Sequence, residues 1–404
     1  MRGAVLAVGD ELLLGDIVNS NAAWLGEQLA AVGVQVVHSA MVGDDVERLA
    51  TALRRALEDA DVVVVTGGLG PTVDDLTRDA VALVAGVPQD RVPGIEEQLR
   101  GKFAAFGYDM PEAVLKQADV PRGARVLDNP VGTAPGLRLE VDGKLVFAVP
   151  GPPHEMKVVC GAVLPELAAL TGTVLHTRQL HCAGTGESQV AERVEAAVTV
   201  PDGVQLAYLA GGGVVRVRFT GSDDTALLPL AEAAANALGD DVFGRDGDTL
   251  TGVVHRLLGA SGATVAVAES LTGGLLGAAL SAEPGSSAGF VGGVLVYATP
   301  LKAVLAGVPE AVLAEHGAVA DPTARAMAEG VRERTGATYG VALTGVAGPD
   351  PQEGHPPGTL FVAVAGPEGT RVRSVRVPGD RERVRALSVT LALDLLRRTL
   401  ARAS

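Results

Sequence analysis

Aromatic residues make up only 3% of this 404-residue chain, with a single tryptophan. An aromatic-rich β-sandwich core is a poor fit; tightly packed helices on parallel strands suit the composition better. Cysteine is nearly absent. Cys160 and Cys182 match no zinc-type spacing and imply no disulfide framework. Positive charge is in deficit, with 33 Lys and Arg against 48 Asp and Glu and a formal net charge of −15. Such a chain repels nucleic-acid phosphates, so direct nucleic-acid binding is disfavoured. The arginine clusters at Arg371–Arg376 and Arg381–Arg385 are short and read as solvated faces. No apolar run approaches the ~20 residues needed to span a bilayer. The opening MRGAVLAVGDE turns acidic too soon for a signal peptide. The expectation is a cytoplasmic protein with no membrane partner. What the chain has is Ala, Val, Leu and Gly in quantity. Its 47% hydrophobic content can fill normal cores in two or three domains.

The most informative stretch is Val62–Asp79, VVVVTGGLGPTVDDLTRD. Four consecutive valines read as a strand buried on both faces. The turn Thr66–Thr72 carries Gly67, Gly68 and Gly70, which permit positive φ and close approach of another group to the backbone. Asp74 and Asp75 follow, then a resumed apolar pattern. Strand, glycine-rich loop and helix start in succession mark the usual ligand position in an open parallel sheet. Paired carboxylates suit a hard, Mg²⁺-like cation. The plainer alternative, a turn with Asp capping a helix, stays open. Upstream, a strand at Ala4–Val8 ends in Gly9, Asp10 and Glu11. A helix over Asn21–Val32, a strand over Val34–Ser39 and a helix over Asp45–Ala60 complete a βαβαβ order, which predicts a parallel sheet. If both strand ends share one sheet edge, four carboxylates converge there. Glu11 as a solvated residue remains an alternative. Two further loops combine Gly and Pro with hydrogen-bonding groups: NPVGTAPG at Asn129–Gly136 and PGPPHEM at Pro150–Met156.

Residues 174–238 read as strand, helix, two strands and helix, a small α+β module. Gly239–Asp248 reads as a linker. Beyond it, Thr264–Ala268 is a short buried strand leading into ESLTGG, so Ser270 stands where strand gives way to helix. Serine is a favoured N-cap. A nucleophile also profits there from helix N–H groups. Its base candidate is Lys302, in the helical turn opened by Pro300 after a strand over Phe290–Tyr297. If the two strands are neighbours, Lys302 and Tyr297 can both point at Ser270, and a desolvated lysine can act as base. A solvated surface Lys302 is the alternative. His255 reads as surface-facing and His316 precedes a turn glycine. Tyr339–Thr344 is another buried strand, running into the glycine-rich Gly345–Asp350. Arg381–Ala401 reads as an amphipathic helix, with an exposed Arg381 favoured over one turned to a pocket.

TGGLGPTVDDLT, KQADVP (Lys116–Pro121), NPVGTAPG, PGPPHEM, AESLTGG, YATPLK and ALTGVAGPD, in this order, resemble the CinA proteins over nearly the whole chain. The resemblance implies two three-layer α/β/α domains joined by a small KH-like α+β module. The boundaries are 1–168 for a molybdopterin-binding-like domain, 170–245 for the module and 248–404 for an amidohydrolase domain. It further implies that the first domain hydrolyses ADP-ribose to AMP and ribose 5-phosphate. A divalent Mg, Mn or Co ion would sit on Asp10, Glu11, Asp74 and Asp75, with Gly67, Gly68, Gly70, Thr72 and Asn129 on the substrate. The last domain would deamidate nicotinamide mononucleotide without a metal, using Ser270, Lys302 and Tyr297. Thr272, Gly273 and Gly274 would supply oxyanion N–H groups, and Thr344, Gly345 and Gly348 would hold the substrate. Leu271 stands where the family commonly has Cys, which leaves Ser270 as the nucleophile. Small nucleotides are the implied partners, and a homodimer the implied assembly. The competing readings are a non-catalytic partner in competence or DNA damage, and a molybdopterin-type binding protein.

Overall fold

A computed structural model describes residues 1–105, 107–172 and 174–403. The chain divides into two compact units, Met1–His176 and Thr177–Ser404.

In the first unit, β1 (Arg2–Val8), α1 (Asp10–Leu14), α2 (Ser20–Ala31), β2 (Gln35–Val42), α3 (Val46–Asp59) and β3 (Val62–Thr66) follow the expected alternation. After α4 (Thr77–Ala85), a two-stranded sheet of β4 (Gln89–Arg91) and β5 (Asp119–Pro121) encloses α5 (Pro93–Ala105) and a 3₁₀ turn, Glu112–Ala118. Strands β6 (Arg125–Leu127), β7 (Gly136–Val141) and β8 (Lys144–Val149) precede α6 (Pro153–Thr171). The main sheet has the order β2-β1-β3-β8-β7-β6. Its β2, β1, β3 and β8 are parallel; β7 and β6 add antiparallel, so the sheet is mixed. The valine run explains the three layers. Alternate side chains of a strand point to opposite faces. Val63 and Val65 pack with Leu49 and Leu53 of α3 and Val81 of α4, while Val62 and Val64 pack with Leu25 and Leu29 of α2 and Met156 and Val159 of α6.

The next strand, β9 (His176–Ala183), starts on the last residue of the first unit; the second unit continues with α7 (Glu187–Ala197), β10 (Gln205–Gly211), β11 (Val214–Gly221), α8 (Asp224–Leu238) and β12 (Val242–Arg245). They form a four-stranded sheet, β10-β11-β9-β12. The segment expected to be a linker therefore supplies a strand: β12 pairs antiparallel with β9, and Phe243 and Ala183 enter the core of the following domain. Linker composition concealed this because only Val242 and Phe243 are apolar there.

That domain comprises α9 (Leu250–Ser261), β13 (Val265–Glu269), α10 (Leu275–Ala282), β14 (Phe290–Leu295), α11 (Thr299–Val304), α12 (Glu310–His316), α13 (Asp321–Thr335), β15 (Tyr339–Gly345), β16 (Thr359–Gly366), β17 (Gly369–Arg376) and α14 (Arg381–Ala403). Its sheet runs β14-β13-β15-β16-β17, parallel across the first three strands and antiparallel thereafter. Helices α9, α10 and α14 cover one face; α13 covers the other. The architecture is thus two three-layer α/β/α folds with an α+β module between them in sequence. Among the described residues, no helix is long and apolar enough to cross a membrane.

Candidate active site

In the second unit, β13 carries the chain to a sheet edge and releases it into a tight turn at Ser270. The turn is pinned where Ser270 N–H donates to the Leu343 carbonyl of β15 (3.1 Å). The adjacent parallel strand β14 ends on the same edge, and α11 begins four residues later. That geometry carries Lys302 back over the turn. Only 1% of Lys302 is exposed. Its Nζ donates to Ser270 Oγ at 3.1 Å, to the Val296 carbonyl at 2.8 Å and to the Tyr297 carbonyl at 3.5 Å. The solvated alternative for Lys302 does not hold. Burial pushes its pKa down to about 8, with the charge of Glu353 pulling the other way. An amine whose pKa of about 8 leaves a usable neutral fraction near physiological pH, and which touches a serine hydroxyl, can accept that hydroxyl's proton.

Ser270 is not a helix N-cap. Helix α10 starts only at Leu275, and its first turn is capped by Glu269. This carboxylate is 1% exposed and accepts from the N–H groups of Gly274 (3.0 Å), Leu276 (3.1 Å) and Gly277 (2.7 Å). The oxyanion assignment over Thr272–Gly274 needs correcting for the same reason. Gly274 N–H is taken by Glu269, and Gly273 N–H by the Ser270 carbonyl. The N–H groups of Leu271 and Thr272 have no partner among the described residues. Thr272 is fully buried with Oγ1 unpartnered. Arg385 of α14 holds this turn from behind, donating to the Leu271 (3.1 Å) and Thr272 (2.8 Å) carbonyls.

A small cavity of about 100 Å³ adjoins the pair, lined in part by Ser270, Lys302, Thr344, Gly345, Gly348 and Arg381. Leu271 is in its lining, whereas Thr272, Gly273 and Gly274 are not. Thr344 is buried and donates to the Ala318 carbonyl (2.6 Å), so its hydroxyl braces the wall. A side chain at Gly345 would run into the Thr359 carbonyl oxygen. Tyr297 lies at the mouth, 61% exposed. Its hydroxyl accepts from Arg381 at 2.9 Å and does not reach Ser270, because the chain turns between β14 and α11 and sends only Lys302 inward. Arg381 also donates to the Gly348 carbonyl (2.7 Å), so this exposed arginine stands on the pocket rim after all. Glu353, which the sequence reading passed over, accepts from the N–H groups of Ala318 and Val319 and fixes the opposite wall. His255 is half-buried with Nε2 against the Leu280 carbonyl, so it is not surface-facing as expected.

The first unit has its own cleft, about 520 Å³, at the carboxyl ends of β1 and β3. Gly67, Gly68 and Gly70 line it; Thr72 and Asn129 do not. A side chain at Gly67 (φ 101°) would meet the Val8 carbonyl, and one at Gly68 (φ 65°) would meet Thr77 Oγ1. Not every loop N–H is free for a ligand. Gly67 donates to the Val149 carbonyl and Gly70 to Asp75, whereas those of Gly68 and Leu69 have no partner among the described residues. Asn129 is buried beside the cleft, its Nδ2 donating to the Ala134 carbonyl and to Glu155.

The four carboxylates lie in one region but do not form a single ligand set. Asp75 turns back on its own loop and accepts from Gly70 N–H (2.7 Å), Thr72 N–H (2.8 Å) and the Thr72 hydroxyl. Asp10 opens α1 and exchanges hydrogen bonds with Asp44, each carboxylate accepting the other's N–H. Asp74 is solvent-facing, and the Thr72 hydroxyl goes to Asp75 instead. Glu11 and Asp75 line the cleft, whereas Asp10 and Asp74 do not. Burial raises the pKa of Asp44, and the charges of Asp10, Glu11 and Asp74 add to that. This makes a negative patch, but among the described residues no three Asp, Glu, His or Cys side chains form a group that could hold a metal ion. The residues present do not fit a preformed divalent-metal site. The physical reason is local: a glycine-rich turn has N–H groups to satisfy, and the nearest carboxylate serves them first.

Three family descriptions match the chain in sequence. Residues 4–169 match a probable molybdopterin binding domain, 177–244 the damage-inducible protein CinA KH domain, and 247–400 the CinA C-terminal domain. A CinA-like protein of Frankia casuarinae is 51% identical over 99% of this chain and 96% of its own length. A CinA-like protein of Synechococcus sp. is 42% identical over 97% of each. The solved structure of the protein CinA from Thermoplasma acidophilum is 39% identical over 41% of this chain and 97% of that one, with a TM-score of 0.39.

Proposed function

The chain belongs to the CinA family, and from that premise we propose that its C-terminal domain hydrolyses the carboxamide of nicotinamide mononucleotide. The observation that carries this reading is the 3.1 Å contact between a buried, pKa-lowered Lys302 and Ser270. Neutral Lys302 takes the hydroxyl proton as Ser270 Oγ attacks the carboxamide carbon. The oxygen turned anionic in the tetrahedral species meets the N–H of Leu271, unpartnered among the described residues and part of the cavity lining. The C–N bond then breaks, and Lys302 returns its proton to the departing nitrogen, which leaves as ammonia. Water, deprotonated by Lys302, cleaves the acyl-serine to nicotinate mononucleotide and free Ser270. Arg381 on the rim supplies the charge for the substrate phosphate. The test is ammonia release from nicotinamide mononucleotide in the presence of a chelator. Ser270→Ala is expected to abolish it; full activity in that variant would remove Ser270 from the reaction.

In the N-terminal domain we read the cleft as a site for a nucleotide diphosphate, with ADP-ribose the candidate. The support is its position at the carboxyl ends of the strands and the unpartnered N–H groups of Gly68 and Leu69. Among the described residues the carboxylates there do not fit a preformed metal site.

A further inference from the structure

Gln117 belongs to the KQADVP segment, Lys116–Pro121. In the fold it lies in the 3₁₀ turn Glu112–Ala118 and lines the N-terminal cleft. The residue is 1% exposed, yet neither Nε2 nor Oε1 of its carboxamide has a hydrogen-bond partner among the described residues. Asn21, on another wall of the same cleft, has a buried Oδ1 without a partner, although its Nδ2 donates to Thr66 Oγ1 and the Gly151 carbonyl. Buried polar atoms are nearly always paired, and each one left unpaired is destabilising. A donor and an acceptor on one carboxamide, both unpaired beside a cleft of about 520 Å³, describe a group waiting for a complementary partner. The segment is held in place from the other side. Lys116 donates to the Asp75 carbonyl (2.7 Å) and pairs with Asp79 (3.5 Å), which locks the turn to the glycine loop. The Gln117 carboxamide itself is held by packing alone, so it can turn toward a ligand without breaking a hydrogen bond.

We infer that Gln117 is the residue that reads the heterocyclic base of the ligand in this cleft. The inference rests on the nucleotide reading of the cleft given above. A glutamine side chain presents an acceptor beside a donor. Adenine presents the matching pair, N6–H beside N7, and the pairing is bidentate. Pterin rings offer the same adjacent donor and acceptor. An ionised phosphate, which only accepts, does not; neighbouring ribose hydroxyls could, and the ribose 5-phosphate titration below tells sugar from base. Gln117 thus selects for the base, and the Gly68–Leu69 loop for the phosphates.

The test is calorimetric titration of the full chain, with chelator present, using ADP-ribose, ribose 5-phosphate and neopterin. Wild type is compared with Gln117→Leu. The expected result is ADP-ribose binding that falls by about 10-fold or more in the variant, since a bidentate base contact commonly carries that much discrimination. Ribose 5-phosphate binding should be unchanged. The ligand-free variant should melt at or above the wild-type temperature, because leucine removes two unpaired polar atoms. If neopterin rather than ADP-ribose shows the loss, the same edge comes from a pterin, and Gln117 keeps its role. If wild type binds ADP-ribose and Gln117→Leu binds it equally well, the assignment of Gln117 is overturned while the nucleotide reading stands. If wild type binds neither ADP-ribose nor neopterin, the nucleotide reading falls and takes the inference with it. A variant that melts far below wild type would make the carboxamide structural and overturn the assignment.

Discussion

Replacing Lys302 by methionine tests the buried-base argument through two independent readouts. The first is catalytic. With a pKa of about 8, roughly a tenth of Lys302 is neutral at pH 7; at the ordinary 10.5 the fraction would be about 0.03%. The wild-type kcat/KM for ammonia release should therefore rise about tenfold per pH unit below 8 and level off above it. Lys302→Met should lose roughly 10²–10⁴-fold, the usual worth of a positioned base, together with the limb. The second readout is stability. The folded pKa is depressed, so below pH 8 both states carry the proton and the fold bears the full penalty of a buried charge. As pH rises from about 8 to 10.5 the folded protein is neutral while the unfolded chain is still protonated, and wild-type stability grows. For a shift from 10.5 to about 8 this growth amounts to about 2 kcal/mol between pH 7 and pH 9.5. Lys302→Met should show none of it, so the stability gap between the two proteins in urea titrations should move by about that amount in favour of wild type. Loss of the donor to the Val296 carbonyl shifts the gap at every pH alike and leaves its slope untouched. A gap independent of pH, or an activity limb centred near 10, would refute the claim that burial lowers this lysine.

Glu269 holds three N–H groups of the turn after Ser270, so Glu269→Ala should lower stability by about 3 kcal/mol in urea titrations. It should also lower kcat as the turn loosens. Arg381 touches Tyr297 and the Gly348 carbonyl at the rim and no reacting group. Arg381→Ala should raise KM for nicotinamide mononucleotide at least fivefold and leave kcat nearly unchanged, about 1 kcal/mol of lost phosphate attraction. Gly67→Ala forces a side chain into the Val8 carbonyl at φ 101°, and should cost about 2 kcal/mol of stability in the N-terminal domain, read as an early thermal transition, without changing ammonia release.

The parts of this fold legible in the sequence are those set by local pattern. Four valines in a row admit only a strand with both faces covered, and Val62–Val65 duly divide between two cores. Pro300 in a first helical turn fixes where α11 begins, and with β13 and β14 adjacent, Lys302 has little choice but to cross over Ser270. What local pattern does not carry is which polar group each turn consumes. Asp74 and Asp75 read as metal ligands because they are adjacent and acidic, yet the glycines that make the loop interesting also leave N–H groups that Asp75 satisfies. A cap was the plainer alternative for Ser270, yet Glu269, one residue earlier, takes that work and leaves the serine hydroxyl to the lysine. Gln117 shows the converse. Nothing within its own segment marks it, because its significance is an absence of partners produced by packing between distant stretches of chain. A buried carboxylate with three donors is a finished structural element; a buried carboxamide with none is an unfinished one. That difference, invisible in the residue names, separates the groups that build these two sites from the groups with chemistry still to offer.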